Sequence, residues 1–365
     1  MSNGSVRVNR EALKQFCRDI FIKLGLPEHD ADSAADMLVT ADVRGIPSHG
    51  TARLWRYVNG LTSGQMLIDA EPEVLADTPS SLVLNAHGAM GAPVSVRAMD
   101  AICDKAASNG AAFGCVRDSN HFGIASYYAM LALPRDMIGI AMTNTAALGV
   151  PTFGRQVMYG TNPLAFAAPA DEERAFVLDM CTTVVTRGKI EQHDLREKDL
   201  PPGWGVDKAG NDAVNARTML DDMFHRAGGG ILPLGGAGEL FGGHKGYGLA
   251  VMVDILCSVL CGAPFGQALS DTETSSARVS HFFGAIKIDA FRDPVEFRRD
   301  MDRMLQDLRS CPTAEGEERV YFAGQKEFER EDEVAKLGVE LLRKTYDNIA
   351  KIGNNHAIEP PTEIR

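Results

Sequence analysis

The sequence lacks the motifs that mark the common nucleotide-binding and hydrolytic folds. No predicted strand is followed by Gly-x-Gly-x-x-Gly, and no loop ends in Gly-Lys-Ser or Gly-Lys-Thr. Neither His-Glu-x-x-His nor Gly-x-Ser-x-Gly occurs in the 365 residues, and the glycines between 235 and 243 do not fall at the dinucleotide spacing. A dinucleotide fold of the common kind, a phosphate-binding loop, a zinc protease and a nucleophile-elbow hydrolase are therefore not supported.

Positive charge is scarce as well. The chain has 37 lysines and arginines against 49 aspartates and glutamates, which gives a net charge of −12. A nucleic-acid partner would need clustered cations, so this balance argues against one. An anionic substrate must be attracted by a local cationic pocket instead.

Paired cysteines and an apolar leader are also missing. The seven cysteines are scattered without a Cys-x-x-Cys, which favours free thiols in a reducing compartment. Residues 1–10 are polar, unlike the core of a signal peptide. The most apolar stretch, 247–263, is short for a membrane span and contains Asp254, so it predicts a buried helix. We expect a cytoplasmic protein with no membrane partner.

Hydrophobic periodicity predicts an α/β protein with helical ends. Apolar spacing indicates helices over 9–25, after Pro27 and over 51–61. Strands and helices then alternate, which is typical of an α/β domain with buried strands. The strands are 82–84, 111–116, 137–142, 164–168, 175–180 and 279–288, and the helices are 92–108, 124–133, 247–262 and 327–351.

The same pattern predicts two domains. Residues 76–294 would form an α/β cofactor-binding domain, within which 187–230 is a polar excursion over the surface. Residues 1–75 with 295–365 would form a helical domain, because the carboxy-terminal helix is expected to fold back on the first helices.

A histidine stands at a predicted strand-to-helix turn. The stretch 118–123, Asp-Ser-Asn-His-Phe-Gly, follows the strand 111–116 and precedes a helical pattern. Open α/β sheets bind ligands at that end of their strands, and imidazole can both give and take a proton near neutrality. His121 is therefore a catalytic candidate. The alternative is a histidine that caps the helix or packs under a loop.

A second histidine lies beside a serine and an arginine. Ser48 and His49 precede the third predicted helix, and Arg53 lies in its first turn. Residues four apart share a helix face, and arginine can bind a carboxylate through two parallel hydrogen bonds. This spacing makes Arg53 a candidate ligand for a carboxylate, with His49 on the same face. The alternative is an N-cap serine and a solvated charge.

Polar residues also end the apolar strands. Thr161 and Asn162 precede strand 164–168 and are suited to hold a ribose, an amide or a carboxylate, although ordinary turns contain the same residues. They are candidate substrate ligands. The strands 164–168 and 175–180 would form a hairpin. At its end, Asp179 can accept hydrogen bonds from ribose hydroxyls, while Arg187 and Lys189 can bind phosphate. A surface salt-bridge cluster is the alternative.

Glycines surround a lysine where the most apolar helix opens. Gly242, Gly243, Gly246 and Gly248 flank Lys245. Glycine lets the backbone approach a ligand, the first N–H groups of a helix are free, and lysine adds positive charge. This stretch predicts an anion-binding site.

These stretches together resemble the malate/L-lactate dehydrogenase family, which is distinct from the Rossmann-type lactate and malate enzymes. The resemblance covers nearly the whole chain, and its specificity comes from the order of short blocks. The blocks are 41–45, 48–50, 119–123, 160–166, 178–180, 187–189, 203–207 and 245–248.

The resemblance implies a homodimeric NAD(P)-dependent 2-hydroxy-acid dehydrogenase with a non-Rossmann, mixed-sheet nucleotide-binding domain. In the family, the histidine matching His121 transfers the proton; in some members the one matching His49 does so, beside the match of Ser48. The arginine matching Arg53 binds the substrate carboxylate. The positions that line the cofactor match Thr145, Asp179, Met180, Cys181 and Lys245, with a weaker match at Gly316.

Two positions depart from the family pattern. Cys181 stands where alanine is usual, which is a small change. Imine-reducing relatives carry an acid at the place of Lys189, so its absence favours a hydroxy-acid substrate.

We expect reversible oxidation of (S)-malate to oxaloacetate with NAD. NADP is the alternative, because Arg187 or Lys189 can meet a 2′-phosphate, whereas Asp179 would repel one. No metal is required, because a protonated imidazole can polarise the carbonyl. Lactate, ureidoglycolate and sulfolactate are the alternative substrates. The rival classes are a hydrolase using Ser48 and His49 with a distant aspartate, and a non-catalytic nucleotide-binding protein.

Overall fold

A layer of helices opens the chain. The computed structural model describes residues 4–270 and 277–364. The first elements are β1 (Ser5–Val8), α1 (Arg10–Lys23), α2 (Glu28–Val43) and α3 (Leu54–Thr62), with a 3₁₀ turn at Thr51–Arg53. The side chain of Asn9 caps α1 by accepting from the backbone N–H of Ala12 at 2.9 Å. The predicted helices are confirmed.

A mixed sheet lies at the centre of the molecule. In the described chain it has seven strands in the order β2-β3-β4-β10-β5-β6-β7. Strands β3 and β4 are parallel and the other neighbours are antiparallel. The strands are β2 (Glu73–Asp77), β3 (Ser81–Asn85), β4 (Ala111–Ser119), β5 (Met137–Thr143), β6 (Leu164–Ala168), β7 (Phe176–Met180) and β10 (Val279–Lys287). This order confirms a mixed, non-Rossmann sheet.

Helices cover both faces of this sheet. Helices α4 (Gly91–Asn109) and α5 (Ala125–Met130) pack on one face, and α8 (Gly243–Cys257) packs on the other, against β4, β5 and β10. Gly243–Cys261 is apolar and long enough to be a candidate membrane span by length and composition. The predicted buried helix is buried on one side only: Ala250, Val253 and Cys257 are buried, whereas Ile255, Val259 and Leu260 are 50%, 54% and 61% exposed.

Contrary to the prediction, the segment 187–230 is not a simple excursion over the surface. It contains α6 (Arg187–Leu195), β8 (Gly205–Val206), α7 (Ala216–Phe224) and the first residue of β9 (Gly230–Ile231). Its apolar residues, among them Ile190 and Met219, form a second core together with Val150, Val157 and Ile231. The polar composition conceals this core because the buried residues are few and widely spaced.

The carboxy-terminal segment returns to the first helices. It consists of α9 (Pro294–Arg309), α10 (Gln325–Leu337), β11 (Val339–Leu342), α11 (Arg343–His356) and β12 (Glu363–Ile364). Strands β11 and β12 pair with β1, and α11 packs on α1 and α3. The predicted single helix over 327–351 is wrong, because Gly338 at φ 82° ends α10 and an extended strand follows.

One apolar core joins the first helices to the central sheet. It includes Phe16 of α1, Leu38 of α2, Ile102 of α4 and Phe283 of β10. The division into a helical domain of 1–75 with 295–365 and an α/β domain of 76–294 stays a prediction.

Candidate active site

The turn after β4 carries His121. Nδ2 of Asn120 donates to the carbonyls of Gly88 (2.8 Å) and Ala89 (3.0 Å), which fixes the turn against the preceding loop. Gly123 has φ 85°, and a Cβ there would overlap the sulfur of Met37 in α2. Only glycine fits this close approach. The strand-to-helix placement predicted for His121 is confirmed.

The buried His281 of β10 packs against this turn. Nδ1 of His281 lies 2.8 Å from Thr143 Oγ1 and its Nε2 lies 2.9 Å from Ser119 Oγ, so the ring joins the ends of β5 and β4. The ring stacks on Phe122 with centroids 4.4 Å apart. Burial lowers the pKa of His281 to about 3, which keeps the ring neutral. Sequence reasoning missed His281. The signal that could have identified it is a histidine within the otherwise apolar predicted strand 279–288.

The ring of His121 is held by a tyrosine. Nδ1 lies 2.6 Å from the hydroxyl of Tyr57, and the backbone N–H of Gly123 donates to the same nitrogen at 3.3 Å. The apolar spacing of the helix predicted over 51–61 places Tyr57 on its buried face. Its ring is indeed buried, but its hydroxyl contacts the candidate catalytic histidine.

The electrostatic environment keeps His121 neutral. Its pKa lies well below the ordinary value, first because of burial, then because of His49, Arg56 and Arg53. A neutral imidazole can accept a proton, which a base for alcohol oxidation must do.

The second histidine stacks on the first. The rings of His49 and His121 are 5.7 Å apart with an interplanar angle of 17°. Nδ1 of His49 lies 2.9 Å from Ser48 Oγ, and Nε of Arg53 donates to the carbonyl of Ser48 at 2.8 Å. Burial, with Arg53, lowers the pKa of His49 to about 4. The predicted cluster of Ser48, His49, His121 and Arg53 therefore forms.

The loop with Ser48 and His49 rests on a buried carboxyl group. Oδ2 of Asp42 accepts hydrogen bonds from the backbone N–H (2.8 Å) and the hydroxyl (2.6 Å) of Thr51. A Cβ on Gly50 would overlap this carboxyl group. Burial raises the pKa of Asp42 to about 7. The alternative reading of Ser48 as a helix cap is wrong, because the helical turn begins at Thr51 with Gly50 before it.

Thr145, a position expected to line the cofactor, and Thr161, a candidate substrate ligand, lie together. The backbone N–H of Thr161 donates to Thr145 Oγ1 at 3.0 Å, and the two hydroxyls are 3.4 Å apart. Asn162 is fully buried; its Oδ1 accepts from the N–H of Thr145 (3.2 Å) and its Nδ2 donates to the carbonyl of Ala250 (2.9 Å). The prediction of Asn162 as a substrate ligand is corrected, because both ends of its amide are bonded within the chain.

The end of β7 carries three further candidates. Oδ2 of Asp179 accepts from the backbone N–H of Ser126 at 2.8 Å, so it fixes the start of α5. Burial raises the pKa of this carboxyl group. Met180 and Cys181 are half-buried, and burial raises the pKa of the Cys181 thiol to about 11.

The start of α8 is built from close-packed glycines. A Cβ on Gly246 would overlap the carbonyl of Leu234, whose N–H donates to Thr182 at 2.9 Å. This contact places the start of α8 next to the ends of β6 and β7. Lys245 is exposed there, and within residues 4–270 and 277–364 no acid pairs with it.

Three predicted cofactor residues lie outside this arrangement. Nε of Arg187 is paired with Glu191 at 2.8 Å on α6, and Lys189 is exposed on the same helix. Gly316 lies in an exposed segment between α9 and α10, with open space around its Cα. In the described part of the chain, no hydrogen bond or ion pair joins any of the three to Thr145, Cys181 or Lys245.

The candidate site contains a neutral imidazole, a second imidazole and a guanidinium that contact one another in series. Such a set suits proton transfer at a carbon that bears a carboxylate. Because the sheet is mixed and lacks the glycine fingerprint, any nucleotide must bind outside the usual dinucleotide fold.

Comparison with known proteins identifies the family. The sequence model described as malate/L-lactate dehydrogenase matches residues 8–350. Malate dehydrogenase of Pyrococcus horikoshii is 39% identical over 354 residues, which cover 97% of this chain and 96% of that protein. The chain belongs to the malate/L-lactate dehydrogenase family, and is therefore an oxidoreductase of the dehydrogenase type.

Further relatives differ in the substrate that they are named for. Malate/(S)-sulfolactate dehydrogenase of Methanothermus fervidus is 34% identical, with 94% of this chain and 97% of that protein covered. Ureidoglycolate dehydrogenase (NAD(+)) of Escherichia coli O157:H7 is 31% identical, with 93% and 94% covered. The crystal structure of malate dehydrogenase from Entamoeba histolytica superposes with a TM-score of 0.94 at 31% identity, covering 98% of this chain and 100% of that one.

Proposed function

We propose that the protein interconverts (S)-malate and oxaloacetate with NAD. In the oxidative direction the C2 hydroxyl loses its proton to an imidazole while hydride leaves C2. Bound nicotinamide supplies the hydride acceptor. The products are oxaloacetate, the reduced nucleotide and one proton.

Arg53 would hold the carboxylate next to C2. Its Nε is already fixed by the carbonyl of Ser48, which leaves the terminal nitrogens of the guanidinium to face a ligand. Two parallel hydrogen bonds would set the orientation of the substrate against His121.

His121 would accept the hydroxyl proton at Nε2. To act as a base at Nε2, the ring must carry its other proton on Nδ1, where the Tyr57 hydroxyl would accept it. The Gly123 N–H contact to Nδ1 at 3.3 Å belongs to the other neutral tautomer and would be given up. Because the protonated ring also carries Nδ1–H, Tyr57 can keep its hydrogen bond when Nε2 gains a proton. In the reverse direction, the negative charge of the bound oxo acid would raise the pKa of His121 toward protonation.

One observation carries this proposal: Tyr57, His121, His49, Ser48 and Arg53 form a continuous chain of contacts that returns to the same helix face. A histidine that merely caps a helix would not need a hydroxyl partner on α3 and a stacked second imidazole.

The residues at the start of α8 fit a dinucleotide. Gly235, Gly236, Gly238 and Gly242 all have positive φ, so the backbone can follow a phosphate closely, and Lys245 adds an unpaired positive charge. The hydroxyls of Thr145 and Thr161 would contact the remainder of the cofactor. NAD is favoured over NADP because Arg187 is already paired with Glu191. A relative named for NAD(+) supports the same choice.

The test is a spectrophotometric screen with NADH and NADPH. Oxaloacetate, pyruvate, 3-sulfopyruvate and oxalurate would each be offered as the 2-oxo acid. Loss of absorbance with NADH and oxaloacetate supports the proposal, and faster loss with another oxo acid reassigns the substrate. Nucleotide binding without turnover of any of them leaves a non-catalytic binding protein.

We also propose a homodimer in a reducing compartment such as the cytoplasm. The uncovered apolar side of α8 and its 3₁₀ extension supplies a surface for a second copy, and the seven cysteines are free. Sedimentation equilibrium tests the first point, and a monomer at micromolar concentration contradicts it.

A further inference from the structure

Arg56 lies one helical turn after Arg53 on α3. Residues three apart are neighbours on a helix surface, and Tyr57, which contacts His121, follows directly. Arg56 is half-buried, so its side chain does not simply extend into solvent. The helix therefore presents two guanidinium groups near the candidate catalytic histidine.

Arg56 differs from the other arginines that are buried or half-buried in the described residues. Most of them form an ion pair with a carboxylate, and Arg53 and Arg117 bond to backbone carbonyls. Arg56 has neither kind of partner among the residues that the structure describes. The paired arginines are Arg7, Arg18, Arg44, Arg97, Arg278, Arg298, Arg330 and Arg343.

A partly desolvated cation without a counter-ion is costly, so such a group usually meets an anion that binds from outside. Its charge acts on the site directly: Arg56 contributes to the lowered pKa of His121 and opposes the effect of burial on the pKa of Tyr57. Geometry points the same way, because Arg56 lies three residues after Arg53, half-buried and without a partner in the described residues.

We propose that Arg56 binds the second anionic group of the substrate, on the side of C3, while Arg53 binds the carboxylate next to C2. This assignment rests on the proposed function and names its specificity. It selects doubly charged 2-oxo acids over singly charged ones. The overall charge of −12 gives such a substrate no general attraction, so a local pair of arginines must supply it.

A carboxylate and a sulfonate would both satisfy this position. Oxaloacetate and 3-sulfopyruvate carry those two groups, whereas pyruvate and 2-oxobutyrate carry neither. The contrast between doubly and singly charged substrates therefore tests Arg56, and the contrast between the two dianions identifies the natural anion.

The experiment compares wild type, R56Q, R56K and R299Q with these four oxo acids and NADH. For R56Q, kcat/KM for the preferred dianion should fall about 10- to 100-fold, since a charge-assisted hydrogen bond is lost. The values for pyruvate and 2-oxobutyrate should change less than about threefold. R56K should be intermediate, because lysine keeps the charge but not the paired geometry. Arg299 is exposed on α9, so R299Q is the control for loss of one positive charge.

The outcomes separate the two proposals. Equal losses for R56Q with singly and doubly charged substrates would overturn the role of Arg56 while leaving the dehydrogenase intact. A wild-type preference for pyruvate over both dianions would do the same. No turnover of any oxo acid by wild type overturns the proposed function and this assignment together. Thermal unfolding of R56Q should match that of wild type, because no partner within the described chain is lost.

Discussion

The two sides of the candidate site are built from different materials. The proton-transfer side, Ser48, His49, Tyr57 and His121, consists of side chains joined by contacts of 2.6 to 2.9 Å and one ring stack. The proposed cofactor side consists of glycine-rich backbone at the start of α8 and the exposed Lys245. Proton transfer requires an imidazole in one fixed orientation, whereas phosphate binding requires accessible N–H groups. Substitutions on the two sides should therefore affect different steps.

Replacement of His121 should produce the largest effect. H121Q removes the proton acceptor, so kcat should fall about 10²- to 10⁴-fold, while NADH binding followed by fluorescence stays within about twofold. H225Q, which alters an exposed histidine after α7, is the matched control. If H121Q retains turnover and H49Q loses it, the proton-transfer role belongs to His49 instead.

Removal of the tyrosine hydroxyl should have a smaller effect on the same side. Y57F leaves Nδ1 of His121 with the long contact to Gly123 only, so kcat should fall about tenfold with little change in nucleotide affinity. Y127F is the control, because the hydroxyl of Tyr127 donates to Asp36 instead. Equal activities of the two variants would show that Tyr57 only fills space.

A substitution on the cofactor side should behave in the opposite way. K245M removes an exposed cation, so the Kd for NADH should rise about five- to tenfold with kcat nearly unchanged. K344M, an exposed lysine on α11, controls for the charge. A fall in kcat without a change in Kd would mean that Lys245 acts in proton transfer. The distinction between a proton-transfer side and a cofactor side would then be lost.

The smallest effect should appear in the pH profile. Oxidation requires neutral His121, so kcat/KM for a hydroxy acid declines as pH falls through the pKa of that ring. Burial and the nearby arginines lower this pKa, so wild type should keep its activity at a pH below the ordinary range for histidine. R56Q removes one cation and should move the acid limb to higher pH. Lactate as substrate avoids a simultaneous loss of binding, and an unmoved limb would place Arg56 away from the ring.

Local patterns predicted the position of His121 but not its partner. The apolar run 111–116 and Gly123 were sufficient to predict a strand-to-helix turn, because both act through neighbouring residues. The contact of Tyr57 with His121 joins positions 64 apart, and helix periodicity alone assigns such a tyrosine to the core. The arginine beside it was missed for the same reason, since its missing partner is evident only once the surroundings are known.

Two failures of periodicity have physical causes. The apolar rhythm over 327–351 continues across Gly338, yet β11 gains hydrogen bonds with β1 that a continuous helix would forgo. Asn162 is a polar residue next to the end of a strand, as expected of a ligand. Its side-chain amide, however, already accepts from the N–H of Thr145 and donates to the carbonyl of Ala250. In both cases a distant part of the chain supplies the deciding hydrogen bonds.

Asp179 lies in β7, and its side chain accepts a hydrogen bond from the backbone N–H of Ser126 in the first turn of α5. Helix α5 follows directly after the turn that carries His121. A nucleotide that shifts the end of β7 would shift α5 with it, and with α5 the histidine. This one hydrogen bond therefore ties the position of the candidate catalytic histidine to the strand that precedes Cys181.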